Sequence, residues 1–346
     1  MMDIKRAVQQ VLLGNDLKID EMRKVMTQIM SGKATDAQIG GFLVGLRIKG
    51  ETTDEIIGAA QIMRELSLTL KIDNQNLVDI VGTGGDEASI FNVSTASIFV
   101  AAAAGANVAK HGNRGVSSNS GSADLLEAAG ININLSEQQI ISCVKETGVG
   151  FMFAVNHHAA MKYAVSPRRE LGVRTIFNLL GPLTNPANVR NMVLGVYDKK
   201  WLRPLAEVMK KLGGKNVLVV HSEDGLDEIS ISANTLVAEL KNNKITEYSV
   251  SPEDFGMRKG ILNDLKVKDP EESFKLIKSA LTKQAVLSAK VEAASDMIAM
   301  NAGAALYVSG IAKDLKEGVI LAQDSIGSGL AKEKISELAS FTNCFN

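Results

Sequence analysis

The chain has 346 residues, 45% of them hydrophobic, with 38 lysines and arginines against 39 aspartates and glutamates and a formal net charge of −1. That length and apolar content support one large α/β domain plus a smaller one around a buried core, and exclude a disordered chain. Balanced charge offers no chain-wide attraction to nucleic acid or to an anionic membrane, and the two cysteines, Cys143 and Cys344, have neither metal spacing nor a disulfide framework.

The start, Met1-Met2-Asp3-Ile4-Lys5-Arg6, lacks the charged-then-apolar layout of a secretion signal. The longest small-apolar run, Ala96 to Ala106, is broken by serine and glycine and is too short to span a bilayer. A cytoplasmic protein with no membrane partner is expected. Helices fill the first 70 residues, and their ends can be named. Gly14, Gly32 and Gly50 each follow an apolar-periodic segment and suit the left-handed residue that closes a helix. Thr35 with Gln38, and Thr52 with Glu55, have capping-box spacing, so two helices should begin there. Ile39, Phe42, Leu43 and Leu46 then fall on one helical face. These signals predict a lobe of about four helices.

From Leu77 the pattern changes to short apolar strands alternating with helices, which predicts a mostly parallel sheet covered on both faces. The expected strands are Leu77 to Val81, Asn107 to Lys110, Val149 to Phe153, Met192 to Val196 and Val217 to His221. Between the third and fourth, "PRRELGVRTIFNLLGPLTNP" (167–186) breaks the rhythm and reads as a segment crossing between lobes. Beyond Asp269-Pro270 the chain turns helical again, with a long small-residue helix around Val291 to Val308. The fold class is therefore α/β: a small helical domain over 1–70, joined by part of 167–186, and a larger α/β domain over 71–346.

Four stretches carry chemistry. In "DIVGTGGDEASIFNVSTAS", Asp79 to Ser97, the sixth position of a dinucleotide fingerprint is Glu87 rather than glycine, and no G-K-[S/T] ends a Walker loop. What remains is a glycine run whose backbone N–H groups can approach an anion, followed by Asn92, Ser94 and Thr95 at a helix N-terminus. A tight strand-to-helix turn capped by Ser94 is the plainer reading of the same residues. In "AKHGNRGVSSNSGSAD", Ala109 to Asp124, Lys110 offers a point charge and Arg114 a fork for phosphate, unless the loop is merely solvated surface. Its place after a strand in the same sheet favours the anion reading, because ligands of open α/β sheets bind outside the carboxyl ends of strands.

In "HSEDGLDEIS", Asp227 and Glu228 are adjacent carboxylates in a loop, hard oxygen ligands of the kind Mg²⁺ takes beside a substrate phosphate, although such a pair is also ordinary surface. The fourth stretch contains Arg168, Arg169 and Arg174, preceded by His157 and His158. Arginine clamps a planar carboxylate, and the histidines could serve as acid or base, line an aromatic pocket, or end a helix.

Taken together, Gly82-Thr83-Gly84-Gly85-Asp86, Asn92-Val93-Ser94-Thr95, Lys110-His111-Gly112-Asn113-Arg114, Ser120-Gly121-Ser122-Ala123-Asp124, "RTIFNLLGPLTNP" from Arg174, and Asp227-Glu228 resemble the anthranilate phosphoribosyltransferases in order and spacing over nearly the whole chain. The resemblance implies transfer of the phosphoribosyl group of phosphoribosyl pyrophosphate (PRPP) to the amine of anthranilate, in tryptophan biosynthesis. It further implies a nucleoside phosphorylase-like architecture and a homodimer through the helical domain. It would place PRPP on Gly82, Gly85, Asp86, Asn92, Val93, Ser94, Thr95, Lys110, His111, Gly112, Asn113, Arg114, Gly115, Val116, Ser117, Ser118 and Ser122. Anthranilate would meet Gly82, Asn113 and Arg168, with His111 and His158 along its path, and Mg²⁺ would be held by Ser94, Asp227 and Glu228. No covalent nucleophile is expected. Ile90 stands where the family usually has threonine or serine, Asn119 where it often has lysine, and Ala159 where a proline is expected after the paired histidines. The alternatives are a pyrimidine nucleoside phosphorylase, which needs free phosphate but not the acid pair, and a non-catalytic nucleic-acid binder, which needs a basic excess this chain lacks.

Overall fold

The structure, a computed structural model, describes residues 2–73, 76–86, 88–115, 119–282 and 288–345. Val116, Ser117 and Ser118 lie outside the described residues. Four helices open the chain: α1 (Ile4–Leu12), α2 (Ile19–Met30), α3 (Asp36–Lys49) and α4 (Thr53–Glu65). Both predicted capping boxes are present, on Thr35 with Gln38 and on Thr52 with Glu55. Gly14, Gly32 and Gly50 all have positive φ. Glu55 does more than cap: wholly buried, it also accepts the Leu17 N–H at 2.9 Å and the Lys49 ammonium at 3.0 Å, tying α4 to the turn after α1 and to the end of α3.

The remaining helices are α5 (Val93–Ala103), α6 (Ser122–Ala128), α7 (Glu137–Thr147), α8 (Ala154–His157), α9 (Lys162–Leu171), α10 (Ile176–Leu180), α11 (Leu202–Lys211), α12 (Pro270–Ala280), α13 (Ala289–Val308), α14 (Leu315–Ser328) and α15 (Leu330–Asn343). They surround a seven-stranded sheet of β1 (Leu77–Gly82), β2 (Asn107–Gly112), β3 (Val149–Phe153), β4 (Asn191–Gly195), β5 (Asn216–Ser222), β6 (Thr235–Lys241) and β7 (Lys244–Val250), in the order β3-β2-β1-β4-β5-β6-β7. The first five strands in the chain are parallel, and the last two add an antiparallel hairpin.

Five strands match those expected, with ends shifted by up to two residues. The β6–β7 hairpin was not among them. Its signal is the Asn242-Asn243 pair, both with positive φ, the geometry of a two-residue hairpin turn between alternating runs. No helix among the described residues is long and apolar enough to cross a membrane.

Side chains alternate across the sheet. Met192 and Leu194 of β4, with Val217 and Val219 of β5, join the apolar cluster that contains α1–α4, whereas Val193, Leu218 and Val220 join the cluster built on α5 and α13. Both faces are thus covered, as a parallel sheet requires. Around the 167–186 segment, α9 packs on α2 and α3, and the Arg64 guanidinium of α4 donates to the Leu183 carbonyl at 2.6 Å. Small residues in α13 have a packing reason, since a Cβ on Gly318 of α14 would lie 2.2 Å from the Gly303 carbonyl oxygen.

The topology also locates a site. From β1 the chain winds one way to β2 and β3, then returns to β4 on the other side of β1. The strand order reverses between β1 and β4, and the carboxyl ends of strands at such a reversal are where open α/β sheets bind ligands.

Candidate active site

Gly82 and Gly195 are register partners at that reversal. Neither has room for a side chain. A Cβ on Gly82 would meet Asp227 Oδ2 at 2.3 Å, and one on Gly195 would lie 1.5 Å from the Asp227 carbonyl oxygen. Two glycines at the switch point therefore form the floor on which the 222–232 loop sets its acid pair. Gly195 and the loop contact went unread in the sequence because only strand pairing makes them neighbours.

Each acid is held by a backbone donor of the opposite loop. Asp227 Oδ2 accepts the Gly84 N–H at 2.7 Å, and Glu228 Oε1 accepts the Ser94 N–H at 3.1 Å, in the first turn of α5. The donors that sequence reasoning offers to phosphate are thus engaged by carboxylates, for the same reason: free N–H groups at a helix start favour negative charge. Ser94 does not cap α5. The cap is Asn92, and its side chain is turned away to bond Ser120 and Ser273.

Lys110 lies beneath this pair, only 2% exposed, with its ammonium donating to the Ile80 carbonyl at 2.6 Å and to Ser94 Oγ at 3.3 Å. Its charge faces Asp79, Glu228 and Asp227, while burial pulls its pKa down. Asp86 is bonded to Asp227 and feels Arg174. Burial raises the pKa of both Asp227 and Glu228, and their acidic neighbours raise them further: Asp86 acts on Asp227, and Asp227 and Asp86 act on Glu228. Acidic groups outnumber cations in this crevice: Asp79, Asp86, Asp227 and Glu228 stand against Lys110 and Arg174. Asp79, wholly buried and not singled out by sequence reasoning, accepts from Asn185 Nδ2 at 2.7 Å, and that amide also reaches the Ala109 carbonyl at 2.9 Å.

The second loop folds onto α6. Gly112 abuts Ser122, the Ser122 hydroxyl donates to the Asn113 carbonyl at 3.3 Å, and Asp124 accepts the Gly115 and Gly121 N–H groups at 2.9 Å each. Arg114 does present a fork, but to Asp124 and Glu127 on its own loop and helix. Val93 and Thr95 are buried in the wall of α5. The Asn119 side chain donates to the Val267 carbonyl at 3.1 Å, whereas Ile90 bridges to Lys266 through its backbone, a pairing that does not depend on the residue there.

A third group is aromatic and uncharged. His111 and His158 rings stand 5.1 Å apart, and the Nε2 atoms of His111, His157 and His158 have no hydrogen-bond partner among the described residues. His157 ends α8 and pairs its Nδ1 with the Leu68 carbonyl at 3.1 Å. Burial, then the neighbouring imidazoles, hold His111 well below its ordinary range and bring His158 to about 4. Both rings are neutral at pH 7. Such depressed values contribute stability that is present above pH 6.5 and is lost as pH falls toward 4. His158→Asn should therefore lose less stability than the parent between those limits, by up to roughly 3 kcal/mol in urea titrations. Parallel curves for the two proteins would contradict the neutral-ring assignment.

Arg168 is half-buried and Arg169 exposed. The Arg168 guanidinium lies 5.2 Å from the Phe177 ring centroid, burial lowers its pKa, and no ion pair or hydrogen bond satisfies it among the described residues. No hydrogen bond or ion pair joins it to Gly82, Asn113 or the histidines among those residues. Arg174, by contrast, donates to the Gly85 carbonyl and joins the crossing segment to the glycine loop.

Comparison with known proteins agrees with this geometry. Residues 74–332 match the family model described as "Glycosyl transferase family, a/b domain", and residues 5–67 match its "helical bundle domain". Anthranilate phosphoribosyltransferases of Marinomonas sp. and Cellvibrio japonicus are 60% and 58% identical over 344 and 341 residues, covering 99% of this chain and 98% and 99% of theirs. The chain belongs to the anthranilate phosphoribosyltransferase family. Among solved structures, the Thermus thermophilus member superposes with a TM-score of 0.90 at 40% identity, covering 97% of this chain and 99% of that one. The Saccharomyces cerevisiae member, in complex with PRPP and Mg, gives 0.89 at 25% identity over 99% and 98%. The expected fold class, a helical domain beside a larger domain with a mostly parallel sheet, holds. As a family member the chain is a glycosyltransferase of tryptophan biosynthesis that moves phosphoribosyl from PRPP to anthranilate.

Proposed function

We propose that the β1–β4 crevice takes the diphosphate end of PRPP as its magnesium complex, and that the histidine and Arg168 side takes anthranilate. The observation that carries the first half is the convergence of Asp227, Glu228 and Ser94 Oγ in a crevice whose acids outnumber its cations. Two carboxylates and a hydroxyl are a hard oxygen set that fits Mg²⁺, which keeps several waters and shares substrate phosphates. Among the described residues no group of three or more His, Cys, Asp or Glu is spaced to hold a metal ion. Mg²⁺, when bound, supplies positive charge to the departing diphosphate.

The chain's own residues then have defined tasks. Gly82, Gly85, Asp86 and the Asn92 to Thr95 turn frame the sugar and diphosphate; Lys110 keeps the acids compact; and residues 110–115 and 119–122, including Gly112 to Gly115 and Ser122, close the other side. The amine nitrogen attacks C1 of the ribose, the C1–O bond breaks, and pyrophosphate leaves with the electron pair. An arylamine is neutral at pH 7, so no base need precede attack, and the protein acts by alignment and charge placement. The nitrogen then passes its proton to an acceptor at hand: the neutral His111 imidazole, water or the released pyrophosphate. Open Nε2 atoms on neutral His111 and His158 accept N–H donors without adding positive charge beside the sugar cation.

Arg168, lacking a counter-ion among the described residues, suits the anthranilate carboxylate. Arg168→Ala should raise the anthranilate KM at least about tenfold, in line with loss of a charge-assisted pair, and leave the PRPP KM within about twofold. An unchanged anthranilate KM would remove the assignment. The reaction itself is followed by mixing protein, Mg²⁺, PRPP and anthranilate and reading loss of anthranilate fluorescence against pyrophosphate release. One-to-one stoichiometry is expected, and fluorescence loss without pyrophosphate would contradict it.

The domain division at residue 70, with part of 167–186 joining the helical part, and a homodimer through that part are further readings. Leu12, Leu13 and Ile48, exposed by 68%, 74% and 80% at the ends of α1 and α3, support the second, and sedimentation velocity decides it.

A further inference from the structure

Asn301 is wholly buried in the middle of α13, among alanines, methionines and leucines. Its amide is spent on backbone groups. Oδ1 accepts the Ile229 N–H at 3.0 Å, and Nδ2 donates to the Ile229 carbonyl at 2.8 Å and to the Met297 carbonyl at 2.9 Å. An N–H faces the oxygen and two carbonyls face the nitrogen, so the orientation of the amide is self-consistent. A helix side chain thereby acts as a strand partner for a single loop residue, satisfying both of its backbone groups.

Leucine at this position would be buried at lower desolvation cost, so the amide's contribution lies in fixing where the loop sits on the helix. The residue it fixes directly follows the acid pair. The same loop is closed at its base by Asp224, which accepts the Ser230 hydroxyl at 2.6 Å and the Ser232 hydroxyl, and by Thr235, whose Oγ1 accepts the Ser230 N–H at 3.1 Å. Asp227 rests on Gly82 and Gly195. On the Glu228 side, the clamp on Ile229 acts together with the Ser94 N–H bond to Glu228 and the burial of the Ile229 side chain in tying the loop to the core.

We propose that Asn301 is a positioning residue for the reaction, fixing the Glu228 and Asp227 carboxylates through Ile229 for magnesium-bound PRPP; this rests on the role given to that pair above. Asn301→Leu keeps the branched shape and the number of heavy atoms and removes all three hydrogen bonds, two of them to Ile229. Hydrogen–deuterium exchange over residues 226–232 should quicken, the Kd of Mg²⁺·PRPP measured calorimetrically should rise ten- to a hundredfold, and the anthranilate KM should stay within about twofold. Leu306→Ala, buried in the same helix, should lower Tm while leaving PRPP affinity unchanged. If Asn301→Leu does not fold, Asn301→Ala carries the same comparison.

Unchanged PRPP affinity in the Asn301 variant, or an equal loss in Leu306→Ala, overturns the inference. Glu228→Gln separates the two levels. If it weakens PRPP binding while Asn301→Leu does not, this inference alone fails; if it leaves PRPP binding intact, the acid-pair reading fails as well.

Discussion

Asp227→Asn is expected to lower kcat/KM for PRPP by roughly a hundredfold or more and to change the anthranilate KM by less than about threefold. The amide keeps an oxygen for the Gly84 N–H, so the β1 loop stays tethered. What it loses is one of the two carboxylate charges proposed to hold the metal-bound diphosphate. The fold should not suffer. Burial and Asp86 raise the Asp227 pKa, so the ionised carboxylate costs stability at neutral pH, and the neutral amide removes that cost. Tm of the metal-free variant at pH 8 should equal or exceed that of the parent. Steady-state kinetics with each substrate varied, together with a melting curve, check both halves. Equal losses toward PRPP and anthranilate would refute the assignment.

Gly195→Ala should be nearly as damaging, by a different route. The added methyl would sit 1.5 Å from the Asp227 carbonyl oxygen and 2.5 Å from its carbonyl carbon, against backbone that has no flexible end to yield. The 226–228 segment must move. A displacement near 1 Å is enough to cost about a hundredfold in kcat/KM for PRPP, with overpacking adding about 1–3 kcal/mol of destabilisation in urea titrations. Gly40→Ala is the control. A Cβ there meets nothing within 4 Å in α3, so stability should hold or improve by up to about 1 kcal/mol and PRPP kinetics should not change. Normal PRPP kinetics in Gly195→Ala would show that the loop does not rest on the switch-point glycines.

Much of the fold could be read in advance because its signals are local. A threonine followed three residues later by glutamine or glutamate starts α3 and α4, and apolar runs of strand length bounded by glycines mark β1 to β5. The β6–β7 hairpin is weakly signalled, because its Asn242-Asn243 turn is a two-residue cue that follows a long run of parallel-strand periodicity. In the site, the glycine run, the 110–124 loop and the acid pair stood out by composition. Asp79, Asn185, Gly195 and Asn301 did not. Each is an ordinary residue in an ordinary local setting, and each matters through a partner that strand pairing or helix packing brings to it.

By itself the amino-acid order determined the helix ends, the succession of parallel strands, and the motif series that places the chain in its family. Those depend on contacts within a few residues of one another. Only the tertiary structure decided that Glu228 meets the first turn of α5 from 134 positions away, that Lys110 lies buried under the acids, and that burial pulls the His111 and His158 pKa values down. Charge–charge energy and desolvation depend on distance and burial in three dimensions, and the β1–β4 reversal is what gathers those groups into one crevice.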